Sequence, residues 1–355
     1  MVRNVLRSTS RLVIRFAIIA TLLALSRVGS KEGSKSRPSS RLCSGTAVDI
    51  ESLDISGGRK ILAIEPYHGT SNRLRAYASA AALAKKSSRK LVVVWNPDVH
   101  ANYCWTDLFL ETKDVLFTDS KILSALYTSR KGVDEYDYMD KLTKGKTVDA
   151  LTDKHVYIRS AYILTSNPPL SDSDINVELQ QLKPNPEVTK IISSFRRQMS
   201  GTQFIGVHIR MLSDQKKDIP GIHELPFDSA AGLGVQMEAV AHRERCHVTN
   251  FLPHIASELK KMPDTSIFVA SDSPVAKKEV SSKFPGLKVI STEDRLFRAC
   301  DGLERRQMEC SQIAVAEFFF LSSANSILTS DWSSASELII RLSHSSHRSG
   351  CAQEF

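Results

Sequence analysis

The chain contains 355 residues, of which 42% are hydrophobic and 24% are charged, and this composition is typical of one or two globular α/β domains. The formal net charge of +8 is concentrated at one end. Residues 1–60 contain 11 Lys and Arg against 4 Asp and Glu, whereas the other residues contain 36 and 35. A protein that binds nucleic acid carries its basic excess on the folded domain. The charge distribution therefore argues against a nucleic-acid partner.

The N-terminus has the features of a targeting segment. An apolar run at 16–25 follows four arginines, Arg3, Arg7, Arg11 and Arg15. The run is shorter than the ~20 residues of a membrane span, so it suits a signal peptide cleaved near Ser26; the alternative is a membrane anchor that starts near Leu12. We assign 1–26 to this signal peptide or signal anchor and 27–58 to a disordered stem. The chain is expected in the secretory pathway, in the ER or Golgi lumen, secreted or anchored as a type II membrane protein.

The six cysteines are compatible with an oxidising compartment. Six cysteines allow fifteen complete pairings, so the connectivity cannot be read from the sequence. The sequence contains no Cys-x-x-Cys pair, which argues against a structural zinc site. Cys300 and Cys310 could close a short local loop, and the alternative is that they are free buried thiols.

The first half of the folded chain, 59–200, predicts an α/β domain. Apolar or alternating runs predict strands, and residues recurring at helical spacing predict helices. Residues 111–150 are charged and give no clear assignment. The predicted elements are the strands Lys60–Glu65, Leu91–Trp95 and His155–Tyr162, a helix that carries Leu74, Ala78, Ala81 and Ala82 and ends near Lys85 and Lys86, and a helix at Glu187–Met199 that bridges the two halves.

The second half, 201–345, repeats the alternation of strand and helix, and 346–355 is expected to be a tail. A long polar loop at 211–246 has no clear period. The remaining pattern predicts two successive Rossmann-like α/β domains that face each other across a cleft. The predicted elements are the strands Phe204–Arg210, Ile267–Ala270, Leu287–Ile290 and Ser326–Thr329 and the helices Val248–Lys261, Val275–Phe284, Gln312–Ser322 and Ser334–Leu342.

Polar side chains follow three predicted strands of the second half. The strand with His208 and Arg210 presents both on one face, because residues two apart in a strand share a face. Asp272 ends the next strand, and Ser330–Ser336 ends the last and opens a helix, with Ser333 as N-cap. Ligands bind at the carboxyl ends of such strands, and helix N-termini bind phosphate. The three strand ends together suggest a pocket for a nucleotide diphosphate. The alternative is that Arg210 pairs with a carboxylate and that Asp272 and the serines only cap helices.

Three stretches of the sequence resemble the GDP-fucose-dependent fucosyltransferases, including the protein O-fucosyltransferases and α1,6-type enzymes. They are GTSNRLRAYASAAALAKKSSRKLVVVW, GVHIR, and ASDS together with TSDWSSASELI, and they span 61–342. The resemblance implies a GT-B fold with the donor in 201–345 and the acceptor on the side of 59–200. It implies that Arg210 of the H-x-R element contacts the donor phosphates. Met211 stands where α1,2 and α1,6 enzymes often have a second Arg, which favours the protein O-fucosyltransferase-like side.

The resemblance also implies which residues bind substrates. The expected substrate-binding residues, besides Asn72 in a catalytic or positioning role, are Gly69, Arg73, His208, Asp272, Ser333, Ser334 and Ser336. Asn72 either positions the reacting sugar or acceptor or caps its helix. The partners are then a nucleotide-sugar donor and a glycan or glycoprotein acceptor, with an N-terminal membrane anchor as an option. GDP-fucose serves as the donor substrate, and no cofactor is expected.

The predicted reaction transfers fucose to a hydroxyl with inversion and without metal. Charge on the leaving phosphate needs a cation, and Arg210 can supply it. The single Asp-x-Asp, Asp172-Ser173-Asp174, lies in a polar stretch without an apolar strand before it and is interpreted as solvated surface. Candidate general bases are Glu65, which we place first, His68, His223 and Glu224. Two alternatives stay open: a non-catalytic carbohydrate- or nucleotide-binding protein of the same fold, and a transferase of the same fold that uses another nucleotide sugar.

Overall fold

Two five-stranded sheets, one in each half of the chain, organise the computed structural model. It describes residues 43, 60–98, 100–112, 115–118, 126–127, 132–199, 203–211, 241–263, 265–292, 300 and 307–351. The predicted targeting segment, and the predicted stem apart from Cys43, lie outside these residues. Within the described part of the chain, no helix is both long and apolar enough to cross a membrane.

The first sheet is parallel throughout and has the order β3-β2-β1-β6-β4. Two of its central strands, Ile61–Pro66 and Lys90–Val94, are mostly apolar, as expected where both faces of a parallel sheet are covered. A small parallel pair, β5 with β7, lies outside it. The elements are β1 (Ile61–Pro66), α1 (Thr70–Lys86), β2 (Lys90–Val94), β3 (Val115–Thr118), β4 (Val133–Asp137), β5 (Val148–Asp149), β6 (His155–Ser160) and β7 (Ser166–Asn167).

Two helices lead out of the first half, α2 (Asp172–Gln180) and α3 (Pro186–Gln198). Asn185 caps α3 by accepting a hydrogen bond from the backbone N–H of Val188, 2.9 Å away, and Pro186 occupies the first turn. Phe195 of α3 lies between phenylalanines of the second half, with ring centroids 5.0 and 5.6 Å away. The helix therefore packs against the second sheet although it precedes the predicted boundary at 200, and that boundary stays a prediction.

The second sheet is also parallel throughout and has the order β10-β9-β8-β11-β12. Helices α6 and α7 add to a core cluster that runs through both halves, and α4 and α5 cover the other face. The elements are β8 (Phe204–Ile209), α4 (Val248–Lys261), β9 (Ser266–Ser271), α5 (Pro274–Lys283), β10 (Val289–Ser291), α6 (Met308–Leu321), β11 (Ser326–Thr329), α7 (Ser334–Leu342) and β12 (Ser346–Ser349).

The prediction that 346–355 forms a tail is wrong for residues 346–349. Ser346–Ser349 forms β12 and pairs in register with β11, from Ser326 opposite Ser346 to Thr329 opposite Ser349. The strand has no apolar side chain, so its sequence carries no hydrophobic signal. Backbone pairing and the disulfide that follows hold it in place.

Gly206 in β8 allows α6 to lie close to the sheet. A Cβ at this position would stand 2.9 Å from both Leu321 Cδ2 and Ala324 Cβ, closer than side-chain carbons approach. Only glycine fits a backbone approach of this kind.

All six cysteines form disulfides: Cys43–Cys104, Cys246–Cys351 and Cys300–Cys310. The last closes the local loop that the spacing suggested, so the alternative of free buried thiols is wrong. The disulfide Cys246–Cys351 connects the turn before α4 to a cysteine two residues beyond β12, with a sequence separation of 105.

Candidate functional site

The order of the second sheet reverses between β8 and β11. The chain moves from β8 to one side, to β9 and β10, and later returns to the other side as β11 and β12. Loops that leave the carboxyl ends of β8 and β11 therefore diverge, and a crevice opens between them. His208 and Thr329 are register partners at this point. His208, Arg210 and Asp272 of the predicted residues lie at this end of the second sheet.

His208 is buried, with 7% of its surface exposed, and its Nδ1 shares a 2.8 Å hydrogen bond with Ser336 Oγ in the first turn of α7. Burial, and secondarily the positive charge of Arg210, lowers the pKa of His208 to about 3. The imidazole is neutral at physiological pH. It can fix the start of α7 and form a hydrogen bond with a ligand, but it does not supply charge.

Arg210 supplies the positive charge at the crevice. Its Nη1 lies 2.9 Å from Asp272 Oδ2, with 32% and 16% of the two side chains exposed, and its backbone N–H donates to Ser330 Oγ at 2.7 Å. Asp272 also accepts from the backbone N–H of Met211 at 3.2 Å. The predicted alternative of an ion pair with a carboxylate is thus present. The alternative that Asp272 caps a helix is wrong, because Ser273 caps α5.

The start of α7 completes this arrangement. Ser333 is the N-cap, as predicted, and its hydroxyl accepts from the backbone N–H of Ser336 at 3.4 Å. Ser334 is the first helical residue, so the free N–H groups of the first turn open beside it. Ser330 was not among the predicted site residues, although its place at the end of β11 was a signal. We call His208, Arg210, Asp272, Ser330, Ser333, Ser334 and Ser336 the strand-end cluster.

Glu65 lies in β1, as the predicted strand Lys60–Glu65 implied, and its side chain is 13% exposed. Oε1 accepts from Asn96 Nδ2 at 3.0 Å, and Oε2 accepts from the hydroxyl of Tyr157. Arg159 Nε lies 3.7 Å from Oε2. Both oxygens already accept hydrogen bonds from side chains of the first half, which argues against the assignment of Glu65 as the catalytic base.

Arg73 is buried and directs its donors into the protein, which corrects its assignment as a substrate-binding residue. It is 1% exposed. Nε donates to the carbonyl of His68 at 2.9 Å, Nη1 donates to the carbonyl of Asn96 at 2.9 Å, and Nη2 lies 2.8 Å from Asp98 Oδ2. Arg73 therefore holds the loops after β1 and β2 together.

Gly69 is the N-cap of α1, so the alternative that Asn72 caps this helix is wrong. Apart from its two chain neighbours, no described residue has an atom within 4 Å of the position that a Cβ of Gly69 would take. The described part of the chain therefore leaves open space at the start of α1, and Asn72, which is partly exposed in the first turn, stays a candidate for contact with a ligand.

An ion pair joins the two halves near both helix starts. Arg75 Nη1 lies 2.8 Å from Glu337 Oε2, which connects the second turn of α1 to the first turn of α7. Arg75 Nε also donates to the carbonyl of Ala161, which follows β6, at 3.0 Å. The start of α1 and the strand-end cluster thus face the same region. No pattern in the sequence predicted this pair.

The Asp-x-Asp opens α2 and does not lie in a loop or at the end of a strand. Ser171 caps the helix, Asp172 Oδ1 accepts from Arg341 at 2.9 Å, and Asp174 lies 2.7 Å from Lys86 Nζ. Among the described residues, no three metal-binding side chains cluster. The candidate bases His223 and Glu224 lie outside the described residues.

A small cavity of about 20 Å³ lies beside the strand-end cluster, between the ends of β9 and β10. Glu317 of α6 lines it and accepts a hydrogen bond from the hydroxyl of Thr292. Burial raises the pKa of Glu317 to about 7. The carboxyl is therefore only partly ionised at neutral pH.

Two parallel sheets of Rossmann-like order, with polar strand ends in the second, define an α/β protein of the GT-B type, as predicted.

The chain is similar to solved fucosyltransferases. Arabidopsis thaliana FUT1, a point variant with GDP, has a TM-score of 0.52 at 12% identity, over 84% of this chain and 73% of that one. POFUT1 without ligand has a TM-score of 0.51 at 12% identity, over 82% and 98%. POFUT1 with GDP-fucose has a TM-score of 0.50 at 12% identity, over 82% and 97%.

Similarity at this identity establishes the fold, and the predicted fold class is confirmed. No family model matches the sequence, and no curated protein matches it.

Proposed function

We propose that the chain is a glycosyltransferase that transfers fucose from GDP-fucose to a hydroxyl of a glycan or a protein. One observation carries the proposal: His208, Arg210 and the start of α7 converge where the order of the second sheet reverses. The similar structures support the choice of donor, since FUT1 was solved with GDP and POFUT1 with GDP-fucose.

The diphosphate of the donor binds at the start of α7. Free N–H groups of the first turn and the positive end of the helix dipole suit an anion. Ser333 and Ser334 have small side chains that leave the backbone accessible. Arg210, held by Asp272 at 2.9 Å, presents a planar guanidinium that matches phosphate oxygens. The neutral imidazole of His208 fixes the helix start through Ser336.

The reaction breaks the bond between the anomeric carbon of fucose and the β-phosphate oxygen. Positive charge develops on the sugar, as in glycoside hydrolysis, and negative charge develops on the leaving phosphate. Arg210 and the N-terminus of α7 stabilise that negative charge in the place of a metal. An acceptor hydroxyl attacks from the face opposite the leaving phosphate, so the configuration inverts.

The acceptor approaches from the first half of the chain. The open space beside Gly69 and the first turn of α1 with Asn72 provide the surface. The ion pair between Arg75 and Glu337 keeps that surface next to the strand-end cluster. A glycan or glycoprotein hydroxyl can then reach the anomeric carbon.

A thermal-shift assay with GDP and UDP, followed by GDP release from several nucleotide sugars, tests the proposal. We expect protection by GDP over UDP and turnover of GDP-fucose. Protection by GDP without turnover of any donor would identify a non-catalytic binding protein. Turnover of a different nucleotide sugar would identify another transferase of this fold.

We also propose that the chain acts in the lumen of the secretory pathway. The arginine-flanked apolar run at 16–25 and the three disulfides support this location, since disulfides persist in oxidising compartments. A reporter fused after residue 60 should reach the lumen in a eukaryotic host cell. A reporter that stays cytosolic would contradict the proposal.

A further inference from the structure

The proposed transfer needs a group that removes the proton of the acceptor hydroxyl. The carboxylate of Glu65 already accepts hydrogen bonds from Asn96 and Tyr157 within the first half of the chain, so it is a poor candidate for this role. The histidine three residues later, His68, lies beyond β1, is partly exposed and is the direct neighbour of Gly69.

We propose that His68 is the general base that deprotonates the acceptor hydroxyl, an inference that rests on the proposed transferase function. It follows from three observations on the loop after β1, namely the backbone conformation of His68, its protonation state and its position relative to the strand-end cluster.

The backbone of His68 is held in an unusual conformation. Its φ is 64°, in the left-handed region that few residues other than glycine adopt. The carbonyl accepts from Arg73 Nε at 2.9 Å, and Arg73 is in turn fixed by Asp98 at 2.8 Å. Strained residues held by their surroundings cluster at functional sites. Here a buried guanidinium fixes the loop that presents the imidazole.

The imidazole is set to accept a proton at neutral pH. Burial first, then the nearby His100, lowers the pKa of His68 below its usual 6.5. The rings of His68 and His100 meet edge to face, with centroids 5.3 Å apart. Asp98 opposes the shift, and Arg73 and Arg75 of α1 add to it. The neutral form therefore predominates, and it has the lone pair that a base requires.

The position of His68 suits the acceptor side of the reaction. It ends the loop that leads to Gly69 and α1, where the order of the first sheet reverses between β1 and β6. The second turn of α1 reaches α7 through Arg75 and Glu337 at 2.8 Å. A hydroxyl beside Gly69 thus lies between His68 and a sugar whose phosphates occupy the start of α7.

The acceptor oxygen forms a bond to the anomeric carbon while its proton passes to the free nitrogen of His68. The bond from the anomeric carbon to the β-phosphate oxygen breaks, and its electron pair leaves with GDP. Arg210 stabilises the negative charge on GDP, and His68 later releases the proton to water.

The test uses GDP release from GDP-fucose with water in the place of the acceptor. His68→Asn keeps a side chain that tolerates the left-handed conformation, so it isolates the loss of the imidazole. His68→Gly also tolerates that conformation and leaves room for added imidazole. His100→Asn is the matched control, because it makes the same change in the adjacent ring.

His68→Asn should lower turnover about 10²–10⁴-fold, the usual contribution of a general base, with unchanged protection by GDP. The fall of kcat/KM at acid pH, which in the wild type should have an apparent pKa below 6.5, should disappear. Imidazole should restore turnover to His68→Gly. His100→Asn should keep most of the turnover and move the acid limb to higher pH, since a neighbour that lowers the pKa of His68 is gone.

Near-normal turnover of His68→Asn would overturn the inference and leave the proposed function intact. Loss of turnover together with loss of GDP protection, or no effect of imidazole on His68→Gly, would show that His68 only shapes the loop. A wild-type chain that binds GDP but releases none from any nucleotide sugar would refute the transferase function and this inference with it.

Discussion

Replacing Arg210 with alanine should reduce turnover by at least 10²–10³-fold, or about 3–4 kcal/mol, the range for one lost donor to a developing anion. The structure places the loss at or beyond the upper end. The change removes a full cation and leaves the carboxylate of Asp272 with one backbone partner, the N–H of Met211 at 3.2 Å. That unpaired negative charge would then lie beside the leaving phosphate.

Two further variants separate these contributions. Arg210→Lys should restore only part of the turnover, because an ammonium cannot contact two oxygens with a planar group. Adding Asp272→Asn to Arg210→Ala should recover part of the loss, because it removes the repulsion but not the need for a cation. Stability should change little, since partly exposed ion pairs contribute about 0–1 kcal/mol.

The assay measures GDP release and melting temperature on the same preparation of each variant. If Arg210 is only a structural partner of Asp272, the expected changes in turnover and in melting temperature are exchanged. Arg210→Ala would then lower the melting temperature and leave the turnover of the folded fraction near normal. That outcome would refute the role of Arg210 in charge stabilisation.

Three other perturbations have defined outcomes. Ser334→Trp should abolish the thermal protection by GDP while the protein stays folded, because the indole would occupy the phosphate position; unchanged protection would mean that the serines only cap α7. Turnover should persist in excess EDTA. A metal-dependent reaction would be indicated if EDTA abolished turnover, Mn²⁺ restored it and Asp172→Ala also abolished it. Because burial raises the pKa of Glu317 to about 7, folding is opposed as pH rises through that value and the carboxyl ionises. Glu317→Gln should therefore raise the melting temperature more at pH 8 than at pH 5, and an equal effect at both would contradict it.

The sequence predicted the central strands and the strand-end cluster well because two simple patterns coincide there. Apolar runs identify strands buried on both faces, and in a parallel sheet their carboxyl ends share one edge. His208 and Ser336, 128 residues apart, were thus expected together and lie 2.8 Å apart. Topology, and not the spacing along the chain, carries that prediction.

Three of the four outer strands of the two described sheets, namely β3, β4 and β12, escaped prediction for a physical reason. β3 and β4 are the outer strands of the first sheet, and β12 is an outer strand of the second. Such strands bury less surface, so charged residues are tolerated, as in Val133–Asp137 with its sequence VDEYD. Periodicity then has little to detect, and 111–150 gave no assignment.

The roles of Glu65 and Arg73 could not be read from the sequence either. Whether a carboxylate at a strand end is hydrogen-bonded depends on side chains that are distant in the sequence and close in the fold. For Glu65 these are Asn96 and Tyr157, 31 and 92 residues away. For Arg73, the partner Asp98 follows a different strand. Long-range partners decide the function of a polar residue, and local patterns do not reveal them.

The disulfide Cys246–Cys351 makes the order of synthesis matter for the segment that leads into α7. Cys351 Sγ accepts a hydrogen bond from the backbone N–H of Asp331 at 3.2 Å, two residues before the cap of α7. Closing a loop of this length stabilises the fold by about 4–5 kcal/mol in the chain-entropy model. Cys351 lies beyond every strand of the second sheet, so the bond cannot form until all five have left the ribosome. The segment that precedes α7 is therefore secured only after every strand of the second sheet has been synthesised.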